Sequence, residues 1–395
     1  MGGARTATLP LLVIALLLSS VALDRAIGAL IADRDLALAL LFPPHSEISY
    51  RTSEFNYVAS TNSLGFRDRE FALGRGSDLR IMAIGDSFTY GWGVALERSW
   101  PKVLEQNLRQ MGVSVEIANL GRPGGTPATY ADLAERAIPR LQPGLVLVAV
   151  LQGDDLAQST PGKGGIHALR SLAKRVLHTL YPNLLLVRFA PRRSVVTADS
   201  VARQWREQAH EAVTSFTAVE RRRFEAIGQA VRDKFLSGDL NPSLLAKAVT
   251  EPRYYVRTLD IANPSTQRLV GEMAKQLRRI EGAARRGGAG VIVVSVPNRP
   301  YMSADDLEAV TSLGFASDEA MLTSPAPDRA IQQAAARAGL PFVAVTQRFR
   351  LRAQDERLYF GLDGHFSLAG HHLYAEFLTP IVAKRLEGLV GETAG

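Results

Sequence analysis

Five short apolar runs punctuate the chain: "LRIMAIG" (79–85), "VSVEIANL" (113–120), "GLVLVAVLQG" (144–153), "GVIVVSVP" (290–297) and "PFVAVTQRF" (341–349). They are rich in Val and Ile and mostly lack the in–out alternation of a half-exposed strand, as strands buried on both faces should. Between them, polar and apolar positions recur at helical spacing. Examples are "ERSWPKVLEQNLRQMG" (97–112) and "DRAIQQAAARAG" (328–339), each closing on a glycine. Strand alternating with helix predicts an α/β fold, a three-layer α/β/α sandwich around a five-stranded parallel sheet with right-handed crossovers.

One crossover is far too long for that scheme. From 155 to 290 no strand-like alternation shows, only charged helical stretches such as "TAVERRRFEAIGQAVRDKFL" (217–236) and "STQRLVGEMAKQLRRIEGAARRG" (265–287). They predict a mainly helical insertion over 159–287 that caps the carboxyl edge of the sheet. "PGKGG" (161–165) would be its entry hinge and "RRGGAG" (285–290) its exit. The two parts of the sandwich are then 76–158 and 288–390, with 28–75 a lead-in.

At the start, "ATLPLLVIALLLSSVAL" (7–23) runs 17 residues without a charge, near the lower limit of roughly 17–25 for a spanning helix. The expectation is an uncleaved N-terminal transmembrane helix within 1–27, inserted in the inner membrane. A cleaved signal or a buried core helix are the alternatives. Arg5 precedes the run, and Asp24, Arg25, Asp33, Arg34 and Asp35 follow it. That arrangement leaves the N-terminus cytoplasmic and the body extracytoplasmic, in the periplasm of a Gram-negative cell.

Composition narrows the chemistry. Of 395 residues, 46% are hydrophobic and 22% charged, the profile of a folded protein. The absence of cysteine excludes disulfides, thiol catalysis and Cys-ligated zinc. The net charge of +7 is uneven: residues 160–290 hold 23 Lys and Arg against 11 Asp and Glu, or +12, leaving −5 for the rest. The insertion is therefore the candidate contact for an anionic polymer or a protein partner. No phosphate-binding loop, dinucleotide turn or nucleic-acid module is present, so neither a cofactor nor a nucleic-acid partner is expected.

The first apolar run ends abruptly in "GDSFTYGWG" (85–93). Helix capping alone would account for Asp86, Ser87 or Thr89. Three other strand ends carry matching features: the Gly-rich turn "NLGRPGGTP" (119–127), "QGDDLAQ" (152–158) and "GLDGHFSLAGHH" (361–372). A serine nucleophile needs a base, a carboxylate to orient that base, and donors where an oxyanion forms. Candidates for all of these occur at one sheet edge, where open α/β sheets bind ligands. His371 and His372 open the last helical stretch and read as packing or exposed residues. His167, His178 and His210 each stand alone in the insertion. Tyr90, Trp92 and Trp100 are either core or a platform for a sugar ring.

At these residues the chain resembles the SGNH (GDSL-type) hydrolases, over roughly 60–160 and 288–388. "GDSFT" is similar to the family's first block and "NLGRPGGT" to the second; "DGHFSLAG" resembles the last, with Asp-x-His where many members have Asp-x-x-His. "NSLGFRD" (62–68) resembles a lead-in of bacterial members. The resemblance implies a flavodoxin-like SGNH fold. It also implies Ser87 as nucleophile and amide donor, Gly124 as a second oxyanion donor, His365 as general base and Asp363 as its orienter. One block departs from the pattern: "QGDD" places Asp154 where the family usually has an oxyanion-donating Asn, and an ionised carboxylate cannot donate. Three resolutions stay open: a protonated Asp154 that donates, a substitute donor such as Gln152 or Asn119, or weak catalysis. The implied activity is an esterase or acyltransferase acting on small acyl groups, acetyl foremost, of an acylated saccharide. A non-catalytic polysaccharide-binding or assembly protein is the alternative.

Overall fold

The strand-like runs pair in parallel, and their residues are buried on both sides. The computed structural model describes residues 5–30, 42–74, 76, 78–160, 177, 180, 181 and 193–393. Among them the strands are, in chain order, β1 (Glu47–Arg51), β2 (Asn56–Ser60), β3 (Leu79–Gly85), β4 (Val115–Gly121), β5 (Leu145–Leu151), β6 (Val195–Val196), β7 (Gly290–Val296) and β8 (Phe342–Val343). Five of them form a parallel sheet in the order β4-β3-β5-β7-β8. The chain starts in an inner strand, steps outward to β4, then returns to β5 on the other side. That reversal opens a crevice at the carboxyl end of β3.

Each strand feeds two cores at once. Ile81, Ala83, Ile117, Leu145, Leu147 and Val294 face one layer, in which the helices Trp100–Gln110 and Leu368–Thr393 pack together. Met82, Ile84, Ala118, Val146, Val148 and Val293 face the other. There the helix Pro264–Arg286 lies against Pro127–Leu141 on one side and Ala326–Arg337 on the other. With both faces covered, consecutive positions must be apolar, and the alternation disappears.

Helix Pro264–Arg286 corrects the extent expected for the insertion. Its Val270, Met273, Ala274, Leu277 and Ile280 are buried in the second core with the sheet. It is the crossover helix of the sandwich, and "RRGGAG" is its turn into β7 rather than an exit hinge. The helical register of those five residues marks an amphipathic helix without saying which surface it covers. The entry hinge "PGKGG", His167 and His178 lie outside the described residues.

What caps the sheet is the set of helices Ala198–Ser215, Ala218–Ala226, Gln229–Ser237 and Pro242–Thr250. The stretch expected as one helix over 217–236 is two. Ile227 is extended and buried where they meet, next to Gly228. Phe216, Phe224, Phe235, Leu240, Leu245 and Val249 pack inside this cap, and its core is continuous with the first layer of the sandwich.

Two further elements depart from the pattern reading. The run 341–349 yields only the two residues of β8, and Thr346–Arg352 is a helix. Val345 and Phe349, four apart and both buried, fit a helical face better than a strand. In the lead-in, β1 and β2 form a hairpin, with β6 added in parallel to β1. β2 alternates exposed and buried residues, as a strand open to solvent on one face does.

At the N-terminus Arg5–Leu30 is one continuous helix. Among the described residues, no helix is long and apolar enough to cross a membrane.

Candidate active site

β3 delivers Ser87 to the crevice through a turn that only small residues allow. A Cβ on Gly85 would lie 2.1 Å from Thr89 Oγ1, so the strand must end in glycine for the next helix to start this tightly. Asp86 caps that helix, its Oδ1 accepting the Phe88 N–H at 2.9 Å. Capping and the serine's exposure to the crevice are thus provided by adjacent residues, and Ser87 is left free of the cap.

The turn is braced from the lead-in. Arg67, buried over the rings of Tyr57 and Tyr90, donates to the carbonyls of Tyr90, Gly91 and Val94 at 2.6–2.7 Å. Its neighbour Asp68 accepts the Asn119 N–H of β4 at 2.8 Å and pairs with Lys102 at 2.6 Å.

Opposite Ser87, the loop after 358 folds back on itself, with Phe360 N–H donating to the His365 carbonyl at 2.9 Å. This puts His365 Nε2 at 2.7 Å from Ser87 Oγ and His365 Nδ1 at 2.5 Å from Asp363 Oδ1. Spaced two residues apart, Asp363 and His365 both reach inward because Gly364 between them takes a left-handed φ of 82°. Trp92 Nε1–H donates to the other carboxylate oxygen, Asp363 Oδ2, at 3.2 Å. Glu54, in the turn of the β1–β2 hairpin, accepts the N–H groups of Leu362 and Asp363, both at 2.8 Å. Arg299 donates to the Gly361 carbonyl and pairs with Asp306.

Charge and burial compete at the imidazole. Burial pulls the His365 pKa down, but the Asp363 carboxylate, by charge and hydrogen bond, with Asp86 and Asp154 farther off, carries it above the ordinary value. Asp86 is pushed up to about 7 by burial and then by the charge of Asp154. An imidazole held between a hydroxyl and a carboxylate takes the hydroxyl proton at Nε2 while keeping its own on Nδ1.

The Gly-rich turn after β4 presents Gly124 with φ 68°, and a Cβ there would meet nothing within 4 Å. The residue therefore faces open cavity and needs glycine for its conformation. The amides of Ser87 and Gly124 have no acceptor among the described residues, which leaves both to a substrate oxygen. Gly125 N–H, by contrast, closes the turn onto the Arg122 carbonyl.

The two proposed substitute donors do not reach the cavity. Gln152 Nε2 donates to Asp328 and Thr346, each at 2.6 Å, and its Oε1 accepts the Asn298 N–H. Asn119 is buried; its Oδ1 accepts from Gly121 N–H, and its Nδ2 has no partner among the described residues. Neither lines the cavity. This corrects their assignment to the oxyanion site: sequence spacing puts both at strand ends, but both side chains are buried behind the cavity wall.

Asp154 does line the cavity. Its Oδ1 accepts from Tyr254 at 2.7 Å and Lys247 at 3.2 Å, and its Oδ2 from Gln158 at 2.5 Å. The cavity, about 200 Å³, is also lined by Ser87, Gly124, His365, Asn298 and Lys247, so cap and sheet edge share its walls.

The remaining candidates are core. Trp100 is fully buried against Tyr374. Tyr90 is buried, and Trp92 lies 5.7 Å from the His365 ring beneath the relay. His371 is buried with Nδ1 accepting the Trp100 N–H, and its burial drops its pKa to about 3. Glu54 and Lys247 went unnoticed in the sequence because each is a lone charge in an ordinary polar or helical context, and Arg67 was quoted only as part of the lead-in "NSLGFRD", with no role read for it.

Residues 83–246 match the model of the GDSL-like Lipase/Acylhydrolase family. Over those residues the chain is similar to that family. The match takes in Ser87, Gly124 and Asp154 and ends inside the cap, so Asp363 and His365 lie beyond it. Members of that family are ester-hydrolysing enzymes. Similar solved structures include a member of the lipolytic protein G-D-S-L family from Veillonella parvula DSM 2008 (10% identity, 77% of this chain and 97% of that one, TM-score 0.35). Another is the lipase/acylhydrolase from Enterococcus faecalis (12%, 78% and 96%, 0.36). A third is a mutant acetyl-xylooligosaccharide esterase from Geobacillus (13%, 77% and 94%, 0.37). No curated protein matches the chain.

Proposed function

We propose that this protein is a membrane-anchored, extracytoplasmic serine esterase that removes or transfers small acyl groups, acetyl foremost, on an envelope or extracellular saccharide. The observation that carries the reading is the unbroken line from Ser87 Oγ to His365 Nε2 at 2.7 Å and from Nδ1 to Asp363 at 2.5 Å. In this mechanism Ser87 attacks the ester carbonyl as His365 takes its proton. Asp363 holds the imidazole in the tautomer with hydrogen on Nδ1, and the amides of Ser87 and Gly124 receive the oxyanion. The alcohol leaves with the proton from His365. Water, or a sugar hydroxyl in transfer, then takes the acyl group from Ser87.

A cavity of about 200 Å³ suits a short acyl group better than a long chain. The uncharged stretch 7–23, preceded by Arg5, is the sequence feature behind the proposed anchor in the inner membrane with the body outside it. The basic balance of 160–290 supports an anionic saccharide or partner at the cap.

The test is turnover of p-nitrophenyl acetate and palmitate, and acetate release from acetylated oligosaccharides. The reading expects acetate esters to be cleaved, palmitate to be spared, and both activities to vanish in Ser87→Ala. Preference for palmitate, or no acetate from any saccharide, contradicts the substrate assignment. Carbonate-resistant membrane association, with the body accessible to protease in spheroplasts, is the expected result for location. Recovery in the soluble cytoplasmic fraction contradicts it.

A further inference from the structure

Asp154 poses an electrostatic problem that the cap resolves. The carboxylate stands at the end of β5, on the wall of the cavity into which Ser87 and Gly124 also face. A bare negative charge there would oppose an oxyanion forming on the substrate. The helix Pro242–Thr250 is fixed by its buried Leu245, Ala248 and Val249, and started by Asn241, whose Oδ1 accepts the Ser243 N–H. Its other face, Ser243, Leu244 and Lys247, lines the cavity. Lys247 Nζ reaches Asp154 Oδ1 at 3.2 Å and sits 4.2 Å from the centre of the Tyr254 ring. Tyr254 in turn donates to the same carboxylate oxygen at 2.7 Å. The ammonium is thus held on two sides and keeps donor capacity toward the cavity, since it carries three hydrogens.

We infer that Lys247 is a catalytic residue contributed by the cap: its ammonium stabilises the oxyanion from the β5 side, and Asp154 serves to hold it there. Lys247 forms no bond to the acyl carbon and gives up no proton. It supplies positive charge to a tetrahedral intermediate that exists only between attack and collapse. The cap then has a chemical duty as well as a covering one, and the carboxylate becomes part of a charge pair instead of a defect in the oxyanion site. This inference rests on Ser87 being the nucleophile.

The experiment measures kcat and KM on p-nitrophenyl acetate for Lys247→Met, Lys247→Arg and the double variant Asp154→Asn/Lys247→Met, with thermal melts as a folding check. Loss of a group that acts on the oxyanion should lower kcat on the order of 10²-fold with KM changed only a few-fold. Lys247→Arg, which keeps the charge, should stay within about tenfold of the parent. The double variant should recover about tenfold or more over Lys247→Met, because it removes the unpaired carboxylate and restores an amide donor. If the pair is only a latch between cap and sheet, the double variant, which lacks the ion pair too, will be no better than the single one.

A Lys247→Met kcat within about threefold of the parent, or a double variant without recovery, overturns the inference. Should Lys247→Met fail to fold, Lys247→Arg against Lys247→Gln carries the same comparison, and equal kcat values overturn it. A fluorophosphonate probe separates the two levels of the argument. Parent protein that is not labelled at Ser87 removes the nucleophile itself. Labelled protein that is indifferent to residue 247 removes only the role of the lysine.

Discussion

The two sides of the cavity are built in opposite ways. On the β3 side, Ser87, His365 and Asp363 come from the sandwich, and the groups that steady them, Arg67, Trp92 and Glu54, come from the sandwich or its lead-in hairpin. On the β5 side, Asp154 is steadied by Gln158 of its own helix and by Lys247 and Tyr254 of the cap. Proton transfer requires a hydroxyl, an imidazole and a carboxylate in a fixed line, and that side keeps the arrangement common to serine hydrolases. Stabilising an oxyanion requires only positive potential in the right place, which an amide or an ammonium can supply. The less restricted requirement is the one at which this chain departs from the family it resembles.

The comparison breaks most severely if the proton relay is cut. Ser87→Ala or His365→Ala should lower kcat by about 10⁴-fold or more, measured on p-nitrophenyl acetate. Equal rates in variant and parent would place the chemistry elsewhere. Asp363→Asn should cost about 10³–10⁴-fold, because an amide no longer selects the tautomer with hydrogen on Nδ1.

A smaller effect sharpens the picture of that side. kcat/KM should rise with pH and level off with a midpoint above the usual imidazole value of about 6.5, since only neutral His365 accepts a proton and its pKa is raised in the fold. In Asp363→Asn, which loses the charge that raises it, the midpoint of the residual activity should move down. An unmoved midpoint would assign the titration to another group. Trp92→Phe keeps the ring but removes the second donor to Asp363, and should lower kcat by about three- to tenfold at unchanged KM. A KM effect alone would make Trp92 a substrate contact.

The smallest expected effect concerns stability. Asp86 has a folded pKa raised to about 7, against about 3.9 when unfolded. The folded chain therefore holds the proton more tightly, and the contribution present at low pH is lost as pH climbs from about 4 through 7. Asp86→Asn retains an oxygen to cap Phe88 and removes the charge. It should melt higher than the parent at pH 8 and equally at pH 4, and the reverse order would contradict the assignment.

The sheet was legible because burial on both faces writes unbroken Val- and Ile-rich runs into the chain, and β3, β4, β5 and β7 follow those runs within two residues at each end. Ser87, Gly124 and Asp154 were legible because small and polar residues cluster abruptly where β3, β4 and β5 end, whereas Asp363 and His365 follow the helix Thr346–Arg352 and were marked by their own Asp-x-His spacing. Ownership of the helix 264–286 was not legible: its amphipathic pattern is the same whether the apolar face meets a sheet or a cap. Nor were Gln152 and Asn119 separable from Asp154, since position at a strand end does not say which way a side chain turns. Lys247 was hidden for a different reason. Its meaning comes from a carboxylate 93 residues away in sequence, and no local pattern encodes such a pair.

The central claim is that Ser87 is a working nucleophile, and covalent capture tests it most directly. Folded protein treated with a fluorophosphonate and weighed intact should gain one adduct per chain, mapped to the peptide containing Ser87 and absent from Ser87→Ala. An unmodified mass, or an adduct that persists in Ser87→Ala, would contradict the account.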